Sequence, residues 1–410
     1  MTRSPAPDPA RIRRGPLADE RVLDLSSTPA AAFCAKLLGD LGADVVKVEP
    51  PGDGDPSRGR TTAGSGEGLA ASPEFLYLNT SKRSVALDLD SPAARPLLAE
   101  LVRTHDIVVV DGPDGRWEQH GLSAATHAEA HPGAIVVAVS PFGGDGPYRD
   151  FAATPLIACA LGGWMHTCGE QGREPLQAGG DITDTVAGAY AAVAALAAVE
   201  ARARDGVGDH VDVSALEAAI TCAFFPSMLF EYHSEGIGRH SDYMTGPSFH
   251  VRCGDGWLGV NVLTEQQWET LCAFIGRPDM ADDPRFATDY YGRLAYLPEI
   301  REAIETAFEG RTALETFHEA QLWRLPFGLV TAPRDALELE VHAARDYFET
   351  HDVDGVGEVR TPRVPFVMAA TPSRPSPPPD LGADTEPVLR DLLGLTGTEL
   401  DDLRSAGVIA

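Results

Sequence analysis

The sequence predicts an α/β protein with a doubly wound, mostly parallel sheet, because short apolar strands alternate with helical segments in its N-terminal part. A change of pattern near residue 236 indicates a second, smaller α+β domain. The 410 residues, 43% of them hydrophobic, are enough to bury one large core or two. We therefore expect a disordered tail at 1–17, a large domain at 18–235, a small domain at 236–345 and a C-terminal segment at 346–410.

The period of the apolar residues defines the elements of the large domain. Apolar strands are predicted at 21–25, 44–49, 84–89, 107–110 and 134–139. Helical spacing occurs between them, at 29–41, 93–102 and 124–130. The segment 50–72 is rich in glycine, proline and serine, which predicts a long exposed loop. Strands that alternate with helices in this way pair in parallel and are covered on both faces.

A long, almost uncharged helix is predicted from residue 184 onward, because apolar residues recur there at helical spacing. We expect it to be buried on most sides. A short strand at 210–214 and another apolar helix to about residue 232 follow. The small domain is predicted to carry a hairpin at 249–262, and the proline-rich stretch 371–380 is a linker before two closing helices.

The charge balance excludes some classes of ligand. Lysine and arginine number 33 and acidic residues 61, which gives a net charge of −28 that opposes binding to nucleic acid or anionic lipid. Residues 1–150 hold 15 basic and 21 acidic groups, whereas the remaining residues hold 18 and 40. An anionic cofactor is therefore expected to dock on the N-terminal part.

Cysteine usage and hydropathy predict a cytoplasmic protein that does not enter a membrane. The six cysteines lie far apart and form no C-x-x-C pair, as expected for reduced thiols. No export signal is visible, and the longest uncharged apolar run, 187–199, is too short to cross a bilayer. The twelve histidines show no metal-binding spacing, and neither a G-x-S-x-G turn nor a phosphate-binding glycine loop occurs in the correct context. We expect no metal.

Asp184 is the strongest candidate for a catalytic residue. It lies at the start of the long apolar helix, where the positive end of the helix dipole keeps a carboxylate ionised and backbone N–H groups are available to an oxyanion. Aspartate is also a favoured N-cap, so a purely structural role stays open from the local pattern. Asp181 is a competing carboxylate three residues earlier.

Six motifs in a fixed order resemble the family III CoA-transferases, which include formyl-CoA and carnitine-CoA transferases and the related α-methylacyl-CoA racemases. They are RVLDLSS, LLGDLGADVVKVEPPGDGDPSRG, LNTSKRSVALDLD, SPFGGDGPYRD, a P-x-x-x-G-x-x-x-x-D-x-x-x-G frame that contains Asp184, and HVDVSALEA. The resemblance continues through LPFGLV and DLGADTEPVLRDLLGL, and so covers nearly the whole chain.

The resemblance implies a Rossmann-like large domain, a C-terminal segment that returns to it, and a homodimer of two interlocked rings. It also implies that Asp184 exchanges acyl groups between coenzyme A and a carboxylic acid through a mixed anhydride and an aspartyl-CoA thioester. No metal or redox cofactor is needed for such exchange. The N-terminal part then supplies candidate CoA contacts: Lys47 and Glu49 at the end of a strand, Arg58 in the Gly/Pro loop, and Lys82 and Arg83 before another strand.

The chain departs from the family pattern in the N-terminal part. Alanines at 30–32 replace the usual A-G-P triplet, the segment 111–115 replaces an N-F-R-P-G-type turn, and Gln119 stands where many members have a basic residue. These changes alter the predicted CoA site. Gly246 lies in the general region of the glycine-rich loop that covers the aspartate in some transferases.

Two other functions stay open. A racemase-like epimerase would use Asp181 together with a histidine, but Thr154 occupies the corresponding position and His166 lies in another register. A catalytically silent partner subunit is the third hypothesis, supported by the altered turn. Candidate walls of an acyl pocket are Trp164, Met165, Tyr190, Phe224 and Phe225, although aromatic and methionine residues at such spacing are more often ordinary core.

Overall fold

The computed structural model describes residues 15–59, 72–112, 114–169, 172–222, 231–232, 248–288, 292–293 and 295–410. The chain divides into two compact units. Unit 1 combines Met1–Met165, Gln177–Ala223 and Val341–Ala410, and unit 2 combines His166–Leu176 and Phe224–Glu340. Phe224, Phe225 and Gly246, which the sequence analysis singled out, lie outside the described residues, as do residues 1–14 of the predicted tail.

Unit 1 is built on a six-stranded sheet. Its strands are β1 Arg21–Asp24, β2 Asp44–Glu49, β3 Lys82–Ala86, β4 Ile107–Asp111, β5 Ile135–Ser140 and β6 His210–Ser214. They lie in the order β3-β2-β1-β4-β5-β6, and every neighbouring pair is parallel. The strand order reverses between β1 and β4, which is the doubly wound, Rossmann-like arrangement. The predicted α/β fold with a parallel sheet is therefore confirmed.

Helices cover both faces of this sheet. The α-helices described up to residue 222 are α1 Pro29–Asp40, α2 Pro73–Leu78, α3 Ala94–Thr104, α4 His127–Ala130, α5 Pro155–Leu161, α6 Trp164–Thr167, α7 Ile182–Asp205 and α8 Ala215–Cys222. One core joins α1 and α7 to one face of the sheet, and a second core joins α3 to the other. Strands buried on both faces explain the continuous apolar runs, such as IVVVD in β4.

Helix α7 packs on α1 through small residues. Ala187, Ala191 and Ala195 are fully buried, and a Cβ on Gly188 would lie 2.3 Å from the Ala30 carbonyl oxygen, so only glycine permits this approach. The opposite side of the helix is exposed, with Val193 62% accessible. The prediction that α7 is buried on most sides is therefore wrong for this chain, because the sheet and α1 cover only one face of it.

Helix α7 is longer than the uncharged stretch 187–199 from which the absence of a membrane span was predicted. The helix has 24 residues and is, among the described parts of the chain, the one helix long and apolar enough to cross a membrane by length and composition. A single such helix is weak evidence for a membrane span, since a core helix passes the same test. Its buried alanines place α7 in the core of unit 1.

Unit 2 contains a small antiparallel sheet and short helices. The strands β7 Ser248–Arg252, β8 Trp257–Asn261 and β9 Phe327–Leu329 pair in that order, which confirms the predicted hairpin. The helices that follow β8 are α9 Glu265–Phe274, α10 Asp279–Asp282, α11 Leu297–Phe308, α12 Ala313–Leu322, α13 Pro333–Ala336 and α14 Glu340–Ala344, the last of which ends in unit 1. Aromatic residues, including Trp268 and Phe308, dominate the core of unit 2.

The C-terminal segment packs against the sheet of unit 1. After the hairpin of β10 Phe348–Val353 and β11 Gly357–Pro362, the chain runs along β3, where the Gly382 N–H donates to Ser84 Oγ at 2.8 Å. The helices α15 Thr385–Leu393 and α16 Gly397–Ser405 then add Val388, Leu389 and Leu400 to the core on the α3 side. The described part of the predicted linker at 371–380 contains no helix or strand.

Candidate active site

A cavity of about 590 Å³ lies at the carboxyl ends of the central strands of unit 1. Thr28 lies between β1 and α1, Gly112 follows β4, Ser140 ends β5 and Ala215 follows β6, and all four line the cavity. In open α/β sheets the loops that follow neighbouring strands diverge where the strand order reverses, and ligands bind in the crevice they leave. The cavity occupies that position between β1 and β4.

The wall of the cavity is mainly apolar. The apolar residues on it are Pro29, Ala30, Val139, Pro141, Phe151, Ala152, Ala153, Pro155, Ala158 and Ala215. Three carboxylates, Asp150, Asp181 and Asp184, also line it, and Arg149 is the one basic residue among its described lining residues. An apolar cleft of this size with a few converging polar groups is typical of a small-molecule site.

Asp184 and Asp181 reach the cavity from the start of α7. The helix begins at Ile182, so Asp184 lies in its first turn and is half-buried, whereas Asp181 occupies the N-cap position and is exposed. The N-cap position considered for Asp184 is therefore occupied by Asp181, whose side chain makes no capping hydrogen bond. The first intrahelical bond runs from the Thr185 N–H to the Asp181 carbonyl at 2.9 Å, so the preceding amides have no acceptor within the helix.

The loop after β5 forms one side of the cavity and is braced by aromatic rings. Tyr148 and Phe151 stack with their centroids 4.9 Å apart, and Phe142 meets Tyr148 edge-on at 5.8 Å. The Ser140 hydroxyl accepts the Gly143 N–H at 2.9 Å. These contacts fix the loop that carries Arg149 and Asp150.

Asp111 ties the loop after β4 to the loop after β1. Its Oδ2 atom accepts the Ser27 N–H at 2.5 Å and the Thr28 N–H at 2.6 Å, and its carbonyl accepts the Trp117 indole N–H at 2.7 Å. Asp111, the first residue of the altered turn, thus fixes the segment that leads into the N-terminus of α1. Sequence reasoning missed this role, although a carboxylate that ends a buried strand was a visible signal.

Comparison with known proteins agrees with this geometry. The sequence profile described as CoA-transferase family III matches residues 17–385. The chain is 33% identical over 404 residues to a succinyl-CoA–D-citramalate CoA-transferase of Chloroflexus aurantiacus. This alignment covers 96% of this chain and 98% of that one. It is 30% identical over 415 residues to a formyl-CoA:oxalate CoA-transferase of Streptomyces coelicolor, covering 95% and 98% respectively.

The chain belongs to CoA-transferase family III. It is a CoA-transferase, as the resemblance in its sequence implied, and enzymes of this class use CoA thioesters as substrates. The crystal structure of a CAIB/BAIF family protein from Brucella suis has the same fold, with a TM-score of 0.83 and 25% sequence identity over 93% of this chain and 100% of that one.

The residues predicted to contact CoA form an internal network of charges in this transferase. Lys47 pairs with Asp55 at 2.7 Å, and Lys82 pairs with Asp24 at 2.8 Å. Lys47 also lies 3.8 Å from Asp24. All four side chains are buried, so each charge is matched by an opposite charge inside unit 1.

Arg58 and Glu49 complete this network. The guanidinium donates Nε and Nη2 hydrogen bonds of 2.7 and 2.8 Å to the two oxygens of Glu49, and it lies 3.6 Å from the centre of the Phe75 ring. Arg58 and Asp55 come from the predicted exposed loop 50–72, so that prediction is wrong for them. Their buried charges hold the described part of the loop against β2.

The network leaves the predicted CoA contacts with internal partners. Lys47, Glu49, Arg58 and Lys82 are each at most 5% accessible, so direct contact with a ligand would require the network to open. Arg83 is one-third exposed and makes a bidentate pair with Asp44, with its shorter bond at 2.6 Å. Their role as CoA contacts stays a prediction.

The buried carboxylates of this network should make the protein sensitive to acid. Burial has the largest single effect on the Asp55 carboxyl and would raise its pKa. The charge of Lys47 together with hydrogen bonds from Lys47 and Ser57 outweighs burial and holds the pKa below its usual value, and the pKa values of Asp24 and Glu49 are lowered in the same way beside their own cations. A lowered folded-state pKa stabilises the fold above the unfolded-state pKa, about 4, and that stabilisation is lost as the pH falls through the folded-state value.

We therefore expect the free energy of unfolding to decrease as the pH is lowered from 5 to 3, and to decrease less in the variant Asp55→Asn. Urea titrations of both proteins at several pH values measure this difference. Equal losses in the two proteins would show that Asp55 contributes nothing to acid sensitivity.

The cavity also decides between other predictions. None of the described acyl-wall candidates lines it: Tyr190 is exposed on α7, and Trp164 and Met165 are half-buried on α6. Phe151 and the small residues near it form the wall instead, so that prediction is wrong for the described residues. Aromatic composition alone could not distinguish these positions.

The epimerase hypothesis lacks its second base in this cavity. Thr154 lines the cavity at the position where racemases have a histidine, and no histidine is present among the described lining residues. His166 is exposed on α6. Arg149, by contrast, does line the cavity, although sequence reasoning gave it no role beyond its place in the motif SPFGGDGPYRD.

Proposed function

We propose that this transferase moves CoA from an acyl-CoA to a carboxylic acid through covalent intermediates on Asp184. The observation that carries the proposal is the place of this carboxylate: it lines the cavity at the strand ends where ligands bind and lies in the first turn of a 24-residue helix. A carboxylate is a weak nucleophile, but it suffices against a thioester because a thiolate is a good leaving group.

In the first half of the reaction, an oxygen of Asp184 attacks the thioester carbonyl carbon of the donor. The carbon–sulfur bond breaks, CoA leaves as the thiolate, and a mixed anhydride links Asp184 to the acyl group. The thiolate then attacks the side-chain carbonyl carbon of Asp184. This step releases the donor as a free carboxylate and leaves an aspartyl-CoA thioester.

In the second half, the carboxylate of the acceptor attacks that thioester and displaces CoA as the thiolate, which gives a new mixed anhydride. The thiolate attacks the acyl carbon of the acceptor, which forms the product acyl-CoA and regenerates the Asp184 carboxylate. No proton or electron is gained or lost over the cycle. The reaction therefore needs neither an added base nor a redox cofactor.

The surroundings of Asp184 suit these steps. Each attack creates a tetrahedral oxyanion, and the amides of the first turn of α7 are donors without an acceptor inside the helix. The alanine and proline wall removes water from the nucleophile and protects the anhydride from hydrolysis. Asp181, at the exposed end of the helix, is not required as a nucleophile.

Trapping of the intermediate tests the proposal. The purified enzyme is incubated with an acyl-CoA and then treated with hydroxylamine, which converts an anhydride or thioester on Asp184 into a hydroxamate that peptide mass analysis locates. We expect the mark on the peptide that contains Asp184 and its absence without acyl-CoA. An unmarked peptide accompanied by α-proton exchange in deuterated water would instead support an epimerase.

We also propose that two copies of the chain associate through an apolar face of unit 1. The helices α5, α7 and α8 pack on one another and leave large apolar side chains exposed, namely Leu156, Leu161, Tyr190, Val193 and Ile220. Monomeric proteins rarely expose an apolar area of this kind, so a second copy that covers it would be stabilised by the burial.

This association predicts that Val193→Glu produces monomers. Light scattering should give a mass near twice the 43.6 kDa of one chain for the unaltered protein and near one chain for the variant. Val356→Glu, in the exposed turn between β10 and β11, is the matched control and should leave the mass unchanged. A monomeric parent protein would contradict the proposal.

A further inference from the structure

Arg149 is the one positively charged side chain among the described residues that line the cavity, and the other lining residues are apolar, acidic or hydroxyl-bearing. The carboxylates of Asp150, Asp181 and Asp184 also line this cavity, and the whole chain carries a net charge of −28. A carboxylic acid that enters as an anion is therefore repelled by the acidic side chains of the lining and attracted by Arg149. A cation in this place needs an explanation beyond surface solubility.

The side chain of Arg149 has donors to offer a ligand. The side chain is 60% exposed. Its Nε atom donates a 3.2 Å hydrogen bond to Asp150 Oδ2, and within the described part of the chain this is its hydrogen bond to protein. Asp150 is itself 71% exposed. An ion pair this exposed contributes little stability, so a ligand carboxylate can compete for the guanidinium, and the Nη1 and Nη2 atoms suit a bidentate contact.

The backbone that carries Arg149 is held in place. Arg149 lies between Tyr148 and the acidic Asp150, and the Phe151 N–H donates to the Tyr148 carbonyl at 2.8 Å. The stacking of Tyr148 on Phe151 braces the same turn. A cation on a fixed loop loses less conformational entropy on binding than one on a free loop, which favours its use in recognition.

We infer that Arg149 binds a free carboxylate at the far end of the acyl chain, so that the substrates of this enzyme are dicarboxylic acids and their mono-CoA thioesters. One carboxyl carbon of the substrate reacts with Asp184, the methylene groups lie against the apolar wall, and the second carboxylate pairs with Arg149. The inference rests on the proposed role of Asp184. The relatives described above are named for succinyl-CoA and citramalate and for formyl-CoA and oxalate; three of these four derive from dicarboxylic acids, and formyl-CoA derives from a monocarboxylic acid.

Matched acyl chains test this assignment without knowledge of the natural acceptor. Succinyl-CoA and butyryl-CoA have the same chain length and differ in a terminal carboxylate against a methyl group, and glutaryl-CoA and valeryl-CoA form a second such pair. The assay measures exchange of labelled free acid into its own CoA thioester by the unaltered enzyme, Arg149→Gln, Arg149→Lys and a control, Arg173→Gln. Arg173 is an exposed arginine of unit 2 that does not line the cavity.

We expect the unaltered enzyme to prefer the dicarboxylic member of at least one pair by about 10-fold or more in kcat/KM. Arg149→Gln should lower kcat/KM for that member about 10- to 100-fold and change the monocarboxylic partner less than about 3-fold, as loss of a charged hydrogen bond predicts. Arg149→Lys should recover part of the loss, and Arg173→Gln should change neither member.

Several results would overturn the inference. These are a preference for the monocarboxylic member in both pairs, equal effects of Arg149→Gln on both members, or no effect of that variant on either. A different result would contradict the proposed function: neither kind of acyl-CoA would lead to a mark on Asp184 in the hydroxylamine experiment. A marked Asp184 together with an unselective Arg149→Gln variant would therefore reject Arg149 as the specificity residue and keep the transferase mechanism.

Discussion

Replacing Asp184 with asparagine should lower the rate of CoA transfer by at least about 10³-fold and leave the fold intact. The amide is nearly isosteric with the carboxylate, but its nitrogen and oxygen do not form the anhydride on which every later step depends. Asp184 lies within α7 after the N-cap, so the substitution removes no capping side chain. Transfer assays, with circular dichroism as a check of folding, measure both parts of the prediction.

Asp181→Asn is the matched control for this variant. Asp181 lines the same cavity from the same end of α7, three residues earlier, and it carries the same charge. We expect its transfer rate to stay within about 10-fold of the unaltered enzyme, because the charge changes while the nucleophile is kept. If Asp181→Asn abolished transfer and Asp184→Asn did not, the nucleophile would have to be reassigned to Asp181.

Lys47→Met should reduce the free energy of unfolding by about 3–5 kcal/mol. Methionine fills a volume similar to that of lysine, but its side chain leaves the buried carboxylate of Asp55 without its 2.7 Å ion pair and removes a second cation from Asp24. A buried charge that loses its partner is costly because water does not replace the lost interaction. The midpoint of the first urea-induced unfolding transition measures the effect.

Arg83→Gln is the control for Lys47→Met. Arg83 also pairs with an aspartate, Asp44, but both side chains are partly exposed and water solvates them when the pair is broken. We expect a loss of at most about 1 kcal/mol for this variant. A loss of similar size in both variants would show that burial does not determine the strength of these pairs.

Most of the fold could be predicted from local signals. The apolar runs that became β1, β2, β4 and β5 are continuous because a parallel sheet is covered on both faces, and this pattern is independent of distant residues. Asp184 was singled out by a similar local signal, since a carboxylate at the start of a long apolar helix is visible in a few consecutive residues, but only the family motif around it favoured a nucleophile over an N-cap.

The partners of the charged residues were not predictable, because they depend on the register of strands that are distant in sequence. Asp24 on β1 lies directly opposite Lys47 on β2, and this register buries both side chains in the network that also holds Lys82. A lysine that ends a strand has the same local sequence whether its amine meets a ligand or an aspartate. Only the packing of β1, β2 and β3 decided that the amines of Lys47 and Lys82 meet buried aspartates inside unit 1.

The sequence by itself therefore determined the class of fold and the family and supplied the carboxylate that we propose as the nucleophile, because each is encoded in short-range periodicity or in motifs of consecutive residues. The tertiary structure decided which side chains share the cavity. Arg149 and Asp184 are brought to one cavity by the carboxyl ends of β5 and β6 and the start of α7, although 34 residues separate them in the chain. Such a meeting depends on how the sheet is wound, and no local pattern records it.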